Sequence, residues 1–247
     1  MSFWNGGPGA PRLLAHRGAS LDAPENTMAA FTLARSQGAH GLELDVRLTR
    51  DNVPVVVHDP DLRRVAGIPR EPRGMTLAEL QAVDVGGWFS PQFKGERAPT
   101  LKEVIAKFGD LFLDVEIKTD DGTSPDALVE AVLKELEQAP HPDRVLVSSF
   151  DPFVLGIVRE TAPHLATGGI SEGPLEEDDV LFLAEVSDAI IPEAAFLTLE
   201  TVEWVRAENL GLFPWTVNDP RAARRLLDMG VDGLITDVPA QLAKALR

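Results

Sequence analysis

Two acidic residues and a histidine lie close together in the sequence, within the segment 41–59. Glu43 and Asp45 are two residues apart, so their side chains point to the same face of an extended strand. Two carboxylates on one face can hold a divalent cation, and the imidazole of His58 beside them can transfer a proton. An ordinary half-exposed hairpin can show the same spacing. The segment alone therefore leaves two interpretations open, a metal-dependent catalytic site and a purely structural hairpin.

A third carboxylate of the same kind lies further along the chain. Glu116 belongs to a predicted strand in which apolar and polar residues alternate. Together with Glu43 and Asp45 it offers hard oxygen ligands, which favour Mg²⁺ or Ca²⁺ over a zinc site of histidines and cysteines. The sequence contains no cysteine. These three carboxylates are therefore candidate ligands of a divalent cation.

Two cationic residues and a second histidine extend this set. Arg17 and Lys118 suit a phosphate group, the arginine through its planar fork and the lysine as a point charge. His16 and His58 come from different predicted strands, so they could act on opposite sides of a phosphorus centre, one removing a proton and one supplying it. This geometry describes the cleavage of a phosphodiester. Trp215, in a later strand, is open to two interpretations, a wall of the substrate site or barrel packing.

The segment 41–59 is predicted to form a β-hairpin. Alternate residues of its first arm are apolar, which is the period of a strand with one buried face. If one face of both arms is buried, Leu48 pairs with Val53 around a four-residue loop. In that register Glu43 lies opposite His58.

The whole chain alternates predicted strands and helices, which indicates a parallel sheet. Candidate strands lie near residues 13, 42, 55, 112, 146, 168, 189, 214 and 234. The return arm of the hairpin, near residue 55, is antiparallel to its neighbour, so eight strands remain for the parallel sheet. We therefore predict an α/β fold, a (β/α)8 TIM barrel in a single domain 1–247, with the hairpin and a small insertion at about 59–100 after the second barrel strand. In such a barrel, functional groups gather at the carboxyl ends of the strands.

Four further residues are assigned to capping or packing. Asn26 is predicted to cap the helix that begins near Thr27, and not to bind a ligand. Trp88, Phe89 and Phe93 are predicted to form the small core of the insertion, and not a wall that faces the substrate.

The composition limits the classes of partner. The formal net charge is −16 and no basic patch is visible, so we predict no nucleic-acid partner and no stable membrane association. Residues 1–11 lack the pattern of a signal peptide, and no apolar run reaches the roughly 18 residues that span a bilayer. The expectation is a cytoplasmic protein that acts on a small molecule.

A series of motifs runs from residue 16 to residue 237. The motifs are His16-Arg17-Gly18-Ala19-Ser20, Pro24-Glu25-Asn26-Thr27, Gly41-Leu42-Glu43-Leu44-Asp45-Val46, Val55-Val56-Val57-His58-Asp59, Glu116-Ile117-Lys118, Ser149-Phe150, Trp215-Thr216-Val217-Asn218 and Gly233-Leu234-Ile235-Thr236-Asp237. In order and spacing the series resembles that of bacterial glycerophosphodiester phosphodiesterases.

The resemblance implies a barrel enzyme that hydrolyses glycerophosphodiesters, such as glycerophosphocholine, to sn-glycerol 3-phosphate and an alcohol, using a divalent cation. It implies roles for seven residues: the acid/base pair His16 and His58, the metal ligands Glu43, Asp45 and Glu116, and the phosphate contacts Arg17 and Lys118. It also implies that the glycerol hydroxyl next to the phosphate attacks first and gives a cyclic phosphate that water then opens. Direct attack by water is the alternative that the sequence leaves open.

The chain departs from the family pattern shortly after His58-Asp59. Many members have a Thr-Thr pair and a glycine there, whereas this chain has Leu62-Arg63-Arg64-Val65-Ala66-Gly67. The departure leaves the role of the insertion in substrate choice open.

Two other functions are weighed against this one. A phospholipase-type barrel acting on an intact lipid is expected to show a secretory signal or an exposed apolar rim, and the sequence indicates neither. A phosphate-binding barrel without catalysis would be favoured by the loss of a histidine, and both His16 and His58 are present.

Overall fold

The computed structural model describes Trp4, residues 13–119 and residues 122–246. The segment 1–11, in which we predict no signal peptide, lies outside the described residues except for Trp4. The single domain 1–247 stays a prediction.

Eight parallel strands and one antiparallel strand form a single sheet in the described part of the chain. The strands are β1 (Leu13–His16), β2 (Gly41–Leu48), β3 (Pro54–Val56), β4 (Phe112–Ile117), β5 (Val145–Ser149), β6 (Ala166–Ser171), β7 (Ala189–Pro192), β8 (Gly211–Leu212) and β9 (Leu234–Thr236). The parallel order is β8-β7-β6-β5-β4-β2-β1-β9, and β3 pairs only with β2. The ring is closed beyond β8, where Ile235 N donates to Pro214 O at 3.1 Å and Val217 N donates to Ile235 O at 2.9 Å. The predicted (β/α)8 TIM barrel with a hairpin is confirmed.

Within residues 13–119 and 122–246, eight α-helices follow the barrel strands and two short α-helices lie in the insertion. They are α1 (Met28–Ser36), α2 (Arg63–Ala66), α3 (Leu77–Gln81), α4 (Leu101–Phe108), α5 (Pro125–Leu136), α6 (Pro152–Thr161), α7 (Glu177–Ala184), α8 (Leu199–Ala207), α9 (Pro220–Met229) and α10 (Pro239–Ala245). The sequence of α4 shows why they form. Thr100 and Glu103 build a capping box, and the buried Leu101, Val104 and Phe108 recur at helical spacing. The longest helix in residues 13–119 and 122–246, α5, has 12 residues, and none of these helices is long and apolar enough to cross a membrane.

Apolar side chains fill the barrel interior on the side of the amino ends of the strands. Trp4 contacts Phe112 and Phe213 edge to face, with ring centroids 5.6 and 5.5 Å apart. Leu14 and Leu146 belong to the same buried cluster. Because this floor is closed and apolar, the polar inward-facing residues are confined to the carboxyl ends of the strands.

The predicted register of the hairpin is wrong by one residue. Leu48 pairs with Pro54, and not with Val53. Thr49 N donates to Val53 O at 3.0 Å, which leaves a loop of three residues, 50–52, ending in the left-handed Asn52 with φ 58°. The ladder between β2 and β3 ends at Val46 and Val56, so β3 provides no partner for Glu43, and His58 is not its partner. Glu43 instead lies between His16 of β1 and Asp114 of β4.

The register was predicted wrongly because both faces of the returning arm, β3, are buried. Val56 packs with Leu44 and Val46 beneath the barrel helices. Val55 and Val57 point the other way, into the apolar cluster of the insertion. Since the insertion covers the second face, burial alone cannot decide which face of the arm turns toward the helices.

The predicted core of the insertion is also wrong. The cluster that holds the insertion together consists of Val55, Val57, Leu62, Val65, Met75, Leu80, Val85 and Ala98. Trp88, Phe89 and Phe93 stack edge to face on one another outside that cluster, and Trp88 is 45 % exposed. They do not line the cavity described below. The aliphatic residues bury more completely because they face the hairpin, whereas the aromatic group lies on the outer surface.

Candidate active site

A cavity of about 230 Å³ opens at the carboxyl ends of the barrel strands. It is lined by His16, Arg17, Glu43, His58, Asp114, Glu116, Lys118, Phe150, Ile170, Glu172, Ile191, Trp215 and Ile235. Seven of the eight predicted site residues are among them, and the eighth, Asp45, is fully buried beside Lys118 and Arg17. Residues from β1, β2, β4 and the segment after β8 thus converge on one space.

The three predicted metal ligands form one buried group. Asp45 and Glu116 are direct neighbours on the parallel strands β2 and β4, and Glu43 lies two residues before Asp45. One ligand atom from each of the three lies within 4.8 Å of the others. The Lys118 ammonium lies 2.9 Å from Asp45 Oδ1 and 2.6 Å from Glu116 Oε1. A cation that bound this group would compete with Lys118 for the same oxygens.

The carboxylates repel one another, and their pKa values show it. Burial raises the pKa of Glu43 well above its ordinary value, and the charges of Asp45 and Glu116 add to this. Burial, together with the charge of Asp45, raises the pKa of Glu116 to about 8. Burial would also raise the pKa of Asp45, but the charges of Lys118 and Arg17 outweigh it and hold that pKa below its ordinary range. Three close, buried oxygen donors short of positive charge fit a hard divalent cation.

Each predicted catalytic histidine bonds a carboxylate through its Nδ1 atom. His16 Nδ1 lies 2.7 Å from Asp237 Oδ1, and His58 Nδ1 lies 2.7 Å from Asp59 Oδ1. An ionised carboxylate can only accept, so Nδ1 carries the proton and Nε2 of the neutral ring is left with its lone pair. The backbone of His58 is held as well, because Arg47 Nε donates to its carbonyl oxygen at 2.9 Å. Both imidazoles therefore have a fixed tautomer and line the same cavity.

Burial lowers the pKa of His58, and the charges of Arg17 and Lys118 lower it further. The charge of Asp45 and the hydrogen bond to Asp59 oppose the shift, but the net pKa is below the ordinary value. The ring is therefore largely neutral near pH 7 and can accept a proton.

Both the backbone and the guanidinium of Arg17, which follows β1, are held by neighbouring carboxylates. Its main chain is in the left-handed region, with φ 57°, and its N–H donates to Glu43 Oε2 at 2.9 Å. Its guanidinium lies 3.1 Å from Glu25 Oε1 and 3.3 Å from Asp45 Oδ2. At the next position a Cβ atom on Gly18 would lie 2.7 Å from Ala30, so only glycine fits there. The loop thus aims one guanidinium into the cavity.

The prediction for Asn26 is wrong. The N-cap of α1 is Thr27, whose side chain accepts a hydrogen bond from Ala30 N. Asn26 is 4 % exposed, adopts φ 56° and donates through Nδ2 to Asp45 Oδ2 at 2.7 Å. It therefore orients a candidate metal ligand, because the left-handed turn directs its side chain inward and not along the helix.

Aromatic and aliphatic residues form the other wall of the cavity. Trp215 packs against Phe150, with ring centroids 5.9 Å apart, and its Nε1 donates to Ile191 O at 3.1 Å. Trp215 therefore packs in the barrel and also lines the cavity, and its contact with a substrate stays a prediction. Phe150, which lines the cavity, is 45 % exposed, and Leu21, whose N–H donates to Asp237 O at 3.3 Å, is 65 % exposed. The mouth therefore carries exposed apolar side chains that the sequence analysis did not identify.

Known proteins share the sequence and the fold of this chain. Residues 16–241 match the model of the glycerophosphoryl diester phosphodiesterase family. The chain belongs to this family.

Relatives within the glycerophosphoryl diester phosphodiesterase family span nearly the whole chain. A glycerophosphodiester phosphodiesterase of Caldanaerobacter subterraneus is 37 % identical over 237 residues, which cover 95 % of this chain and 97 % of that protein. One of Bacillus subtilis is 32 % identical, over 92 % of this chain and 83 % of that protein. A phosphodiesterase of Oleispira antarctica, solved in complex with the product sn-glycerol-3-phosphate, has a TM-score of 0.89 and 30 % identity, and 96 % of each chain is covered. This member of the family is accordingly an enzyme.

The residues that the sequence analysis missed in this family member are mostly partners of the predicted ones. Asp59 directly follows His58, and Asp237 directly follows the last barrel strand, so position in the chain could have indicated both. Asp114 lies two residues before Glu116 on the same face of β4 and lines the cavity. Burial raises the pKa of Asp114 to about 7. Arg64 had no such signal, because its partners lie in other segments.

The metal-free enzyme is expected to lose stability as pH rises from 6.5 to 8. Glu116, Glu43 and Asp114 keep protons in the folded state that they have lost in the unfolded chain, so a higher pH favours unfolding by about 1.4 kcal/mol per pH unit for each such proton. His58, whose pKa is lowered from 6.5, contributes the opposite sign mainly at and below pH 6.5, and its contribution fades through this window. Thermal unfolding in a strong chelator should therefore give a lower Tm at pH 8 than at pH 6.5, and added Ca²⁺ or Mg²⁺ should reduce the difference. An equal or higher Tm at pH 8 in chelator would contradict the raised pKa values of Glu43, Asp114 and Glu116.

Proposed function

We propose that this family member hydrolyses glycerophosphodiesters, for example glycerophosphocholine, to sn-glycerol 3-phosphate and an alcohol, by histidine acid/base catalysis with a divalent cation. One observation carries the proposal: three buried carboxylates, a fixed guanidinium and two carboxylate-bonded imidazoles surround a single cavity. Hydrolysis of a phosphodiester uses all of these groups. A cation held by the carboxylates would neutralise charge, the guanidinium would orient the phosphate, and the imidazoles would transfer protons.

Glu43, Asp45 and Glu116 would hold the cation, with Mg²⁺ or Ca²⁺ as the proposed metals because all the donors are carboxylate oxygens. When bound, such a cation supplies positive charge to the phosphate oxygens. In the free enzyme Lys118 partly balances the same carboxylates. We propose that Arg17 and Lys118 contact the phosphate and that Trp215 contacts the organic part of the substrate.

His58 is the proposed general base and His16 the proposed general acid. The lowered pKa of His58 supports its role, since it keeps Nε2 free to accept a proton near neutral pH. His16 holds its proton on Nδ1 against Asp237, and a second proton on Nε2 would be given to the leaving alcohol oxygen. The proton taken by His58 comes from the attacking hydroxyl, either that of the glycerol or that of water.

The test is the release of choline and sn-glycerol 3-phosphate from glycerophosphocholine, with and without a strong chelator. We expect turnover with Mg²⁺ or Ca²⁺, loss of turnover in chelator and recovery when the cation is returned. Phosphorus NMR during the reaction would distinguish a transient cyclic phosphate from direct hydrolysis. If neither cation supports hydrolysis, or if chelation leaves the rate unchanged, the proposal is wrong.

The second candidate, action on a lipid that keeps an acyl chain, is favoured by the exposed Phe150 and Leu21 at the mouth. Lysophosphatidylcholine in the same assay addresses it directly. A higher kcat/KM for this lipid than for glycerophosphocholine would establish the lipid as the preferred substrate. The cytoplasmic location and the lack of a nucleic-acid partner stay predictions from the sequence.

A further inference from the structure

One arginine of the insertion joins two carboxylates at the edge of the candidate active site. Arg64 Nε and Nη2 donate to Asp59 Oδ2 and Oδ1 at 2.7 and 3.0 Å. Its Nη1 and Nη2 also donate to Glu25 Oε2 and Oε1 at 2.6 and 2.8 Å. A guanidinium that forms two bonds to each of two carboxylates fixes the distance and the angle between them.

Each of these carboxylates holds a cavity residue on its other side. Asp59 Oδ1 bonds His58 Nδ1 at 2.7 Å. Glu25 Oε1 accepts from Arg17 Nη1 at 3.1 Å. Arg64 therefore reaches a candidate general base through one carboxylate and a candidate phosphate contact through the other, although it does not line the main cavity itself.

The main chain that presents Arg64 is firmly anchored. Val65, which follows Arg64, and Leu62, two residues before it, are buried in the cluster of the insertion. Helix α2 ends at Gly67, whose φ of 70° is in the left-handed region that closes a helix. The insertion thus places one guanidinium at a defined position beside the barrel mouth.

The charges of the network depend on Arg64. Burial would raise the pKa values of Glu25 and Asp59, but the hydrogen bonds and charge of Arg64, together with those of Arg17 at Glu25 and of His58 at Asp59, outweigh it. Both pKa values therefore lie below their ordinary range, and Arg64 contributes the first of the opposing causes in each case. Without Arg64, Glu25 would keep Arg17 as its partner and Asp59 would keep His58. Glu25 would then draw Arg17 away from a phosphate, and Asp59 would be free to change its rotamer.

We propose that Arg64 is a positioning residue of this enzyme, which orients His58 through Asp59 and Arg17 through Glu25. The inference rests on the proposed function and gives the insertion a specific part in it. We therefore expect the two sides of this network, Asp59 with His58 and Glu25 with Arg17, to affect different kinetic constants. The Asp59 arm acts on proton transfer and therefore on kcat, whereas the Glu25 arm acts on phosphate binding and therefore on KM.

The main comparison is between Arg64→Ala and its neighbour Arg63→Ala, assayed with glycerophosphocholine. Arg63 is 71 % exposed and its charged partner is Asp61, so it controls for the loss of one positive charge from the same helix. We expect kcat/KM of Arg64→Ala to fall by about 10–100-fold, as for other partners that orient active-site groups, with both kcat and KM affected. Arg63→Ala should stay within about twofold of the wild type.

Two further measurements separate positioning from mere loss of folding. Asp59→Asn should lower kcat with little change in KM, and Glu25→Gln should raise KM with little change in kcat. Because the Arg64 side chain is 43 % exposed, millimolar methylguanidinium should restore part of the activity of Arg64→Ala. The same addition should not affect Arg63→Ala.

The outcomes are distinct for the two proposals. A wild-type enzyme without glycerophosphodiester hydrolysis overturns the proposed function and this role with it. If the wild type is active but Arg64→Ala matches Arg63→Ala, only the positioning role is overturned. A reduced Arg64→Ala activity that follows a lowered Tm, and that methylguanidinium does not restore, also overturns it.

Discussion

Replacement of His58 by alanine is expected to lower kcat by about 10²–10⁴-fold, because it removes the proposed general base. The Tm should change little, since the side chain is partly exposed and its ring nitrogen Nδ1 bonds the neighbouring Asp59. The measurement is steady-state hydrolysis of glycerophosphocholine together with thermal unfolding. His141→Ala is a suitable control, because His141 is an exposed histidine far from the cavity residues.

The His16→Ala variant and the double variant sharpen this prediction. If the two imidazoles act in one proton-transfer sequence, the double variant should lose little more than the worse single variant. Independent contributions would instead multiply. A His58→Ala enzyme with the full wild-type kcat would rule out the proposed acid/base pair, whatever the result for His16.

The second large effect is expected for Glu43→Gln, which should weaken divalent-cation binding by at least about tenfold, the lower limit of changes around metal ligands. The glutamine keeps an oxygen that can accept from Arg17 N, so the loop after β1 should be preserved. Glutamine cannot ionise, so folding no longer has to suppress the charge that burial and the neighbouring Asp45 and Glu116 make unfavourable at this position. The metal-free variant should therefore have a higher Tm than the metal-free wild type.

Calorimetric titration with Ca²⁺ and Mg²⁺, combined with unfolding in chelator, measures both effects. Glu203→Gln is the matched control, because Glu203 is exposed on α8 and its replacement changes the net charge equally. Unchanged affinity in Glu43→Gln would exclude Glu43 as a ligand. A lower Tm in chelator would contradict the electrostatic argument, even if the affinity falls. Together the two results distinguish a ligand from a residue that only supports the fold.

Much of the site was predictable because each predicted residue occupies a defined place in a local pattern. The period-two alternation around Glu43, Asp45 and Glu116 puts their side chains on the inner face of β2 and β4, and the strand–helix rhythm makes those strands parallel neighbours. Parallel strands have their carboxyl ends at the same edge, so residues far apart in sequence meet there. The roles of these residues stay proposals.

The insertion shows where local patterns fail. The apolar run at Val55, Val56 and Val57 is buried on both faces, so the register of β3 depends on a cluster from another segment. A large apolar residue such as Trp88 is usually expected in a core, but the position of the insertion on the barrel leaves it 45 % exposed. Burial is a property of the assembled fold, and residue type predicts it only on average.

Strand period and helix spacing repeat along the chain, so they are enough to predict the barrel, the end at which the cavity opens and most of the charged groups that line it. How those groups are held depends on contacts between segments that are distant in the sequence. His16 bonds Asp237 across 221 positions of the chain, and Arg64 joins Glu25 to Asp59 across 39 and 5 positions. Such contacts require that separate segments pack at a fixed distance, and no periodicity within one segment specifies that distance.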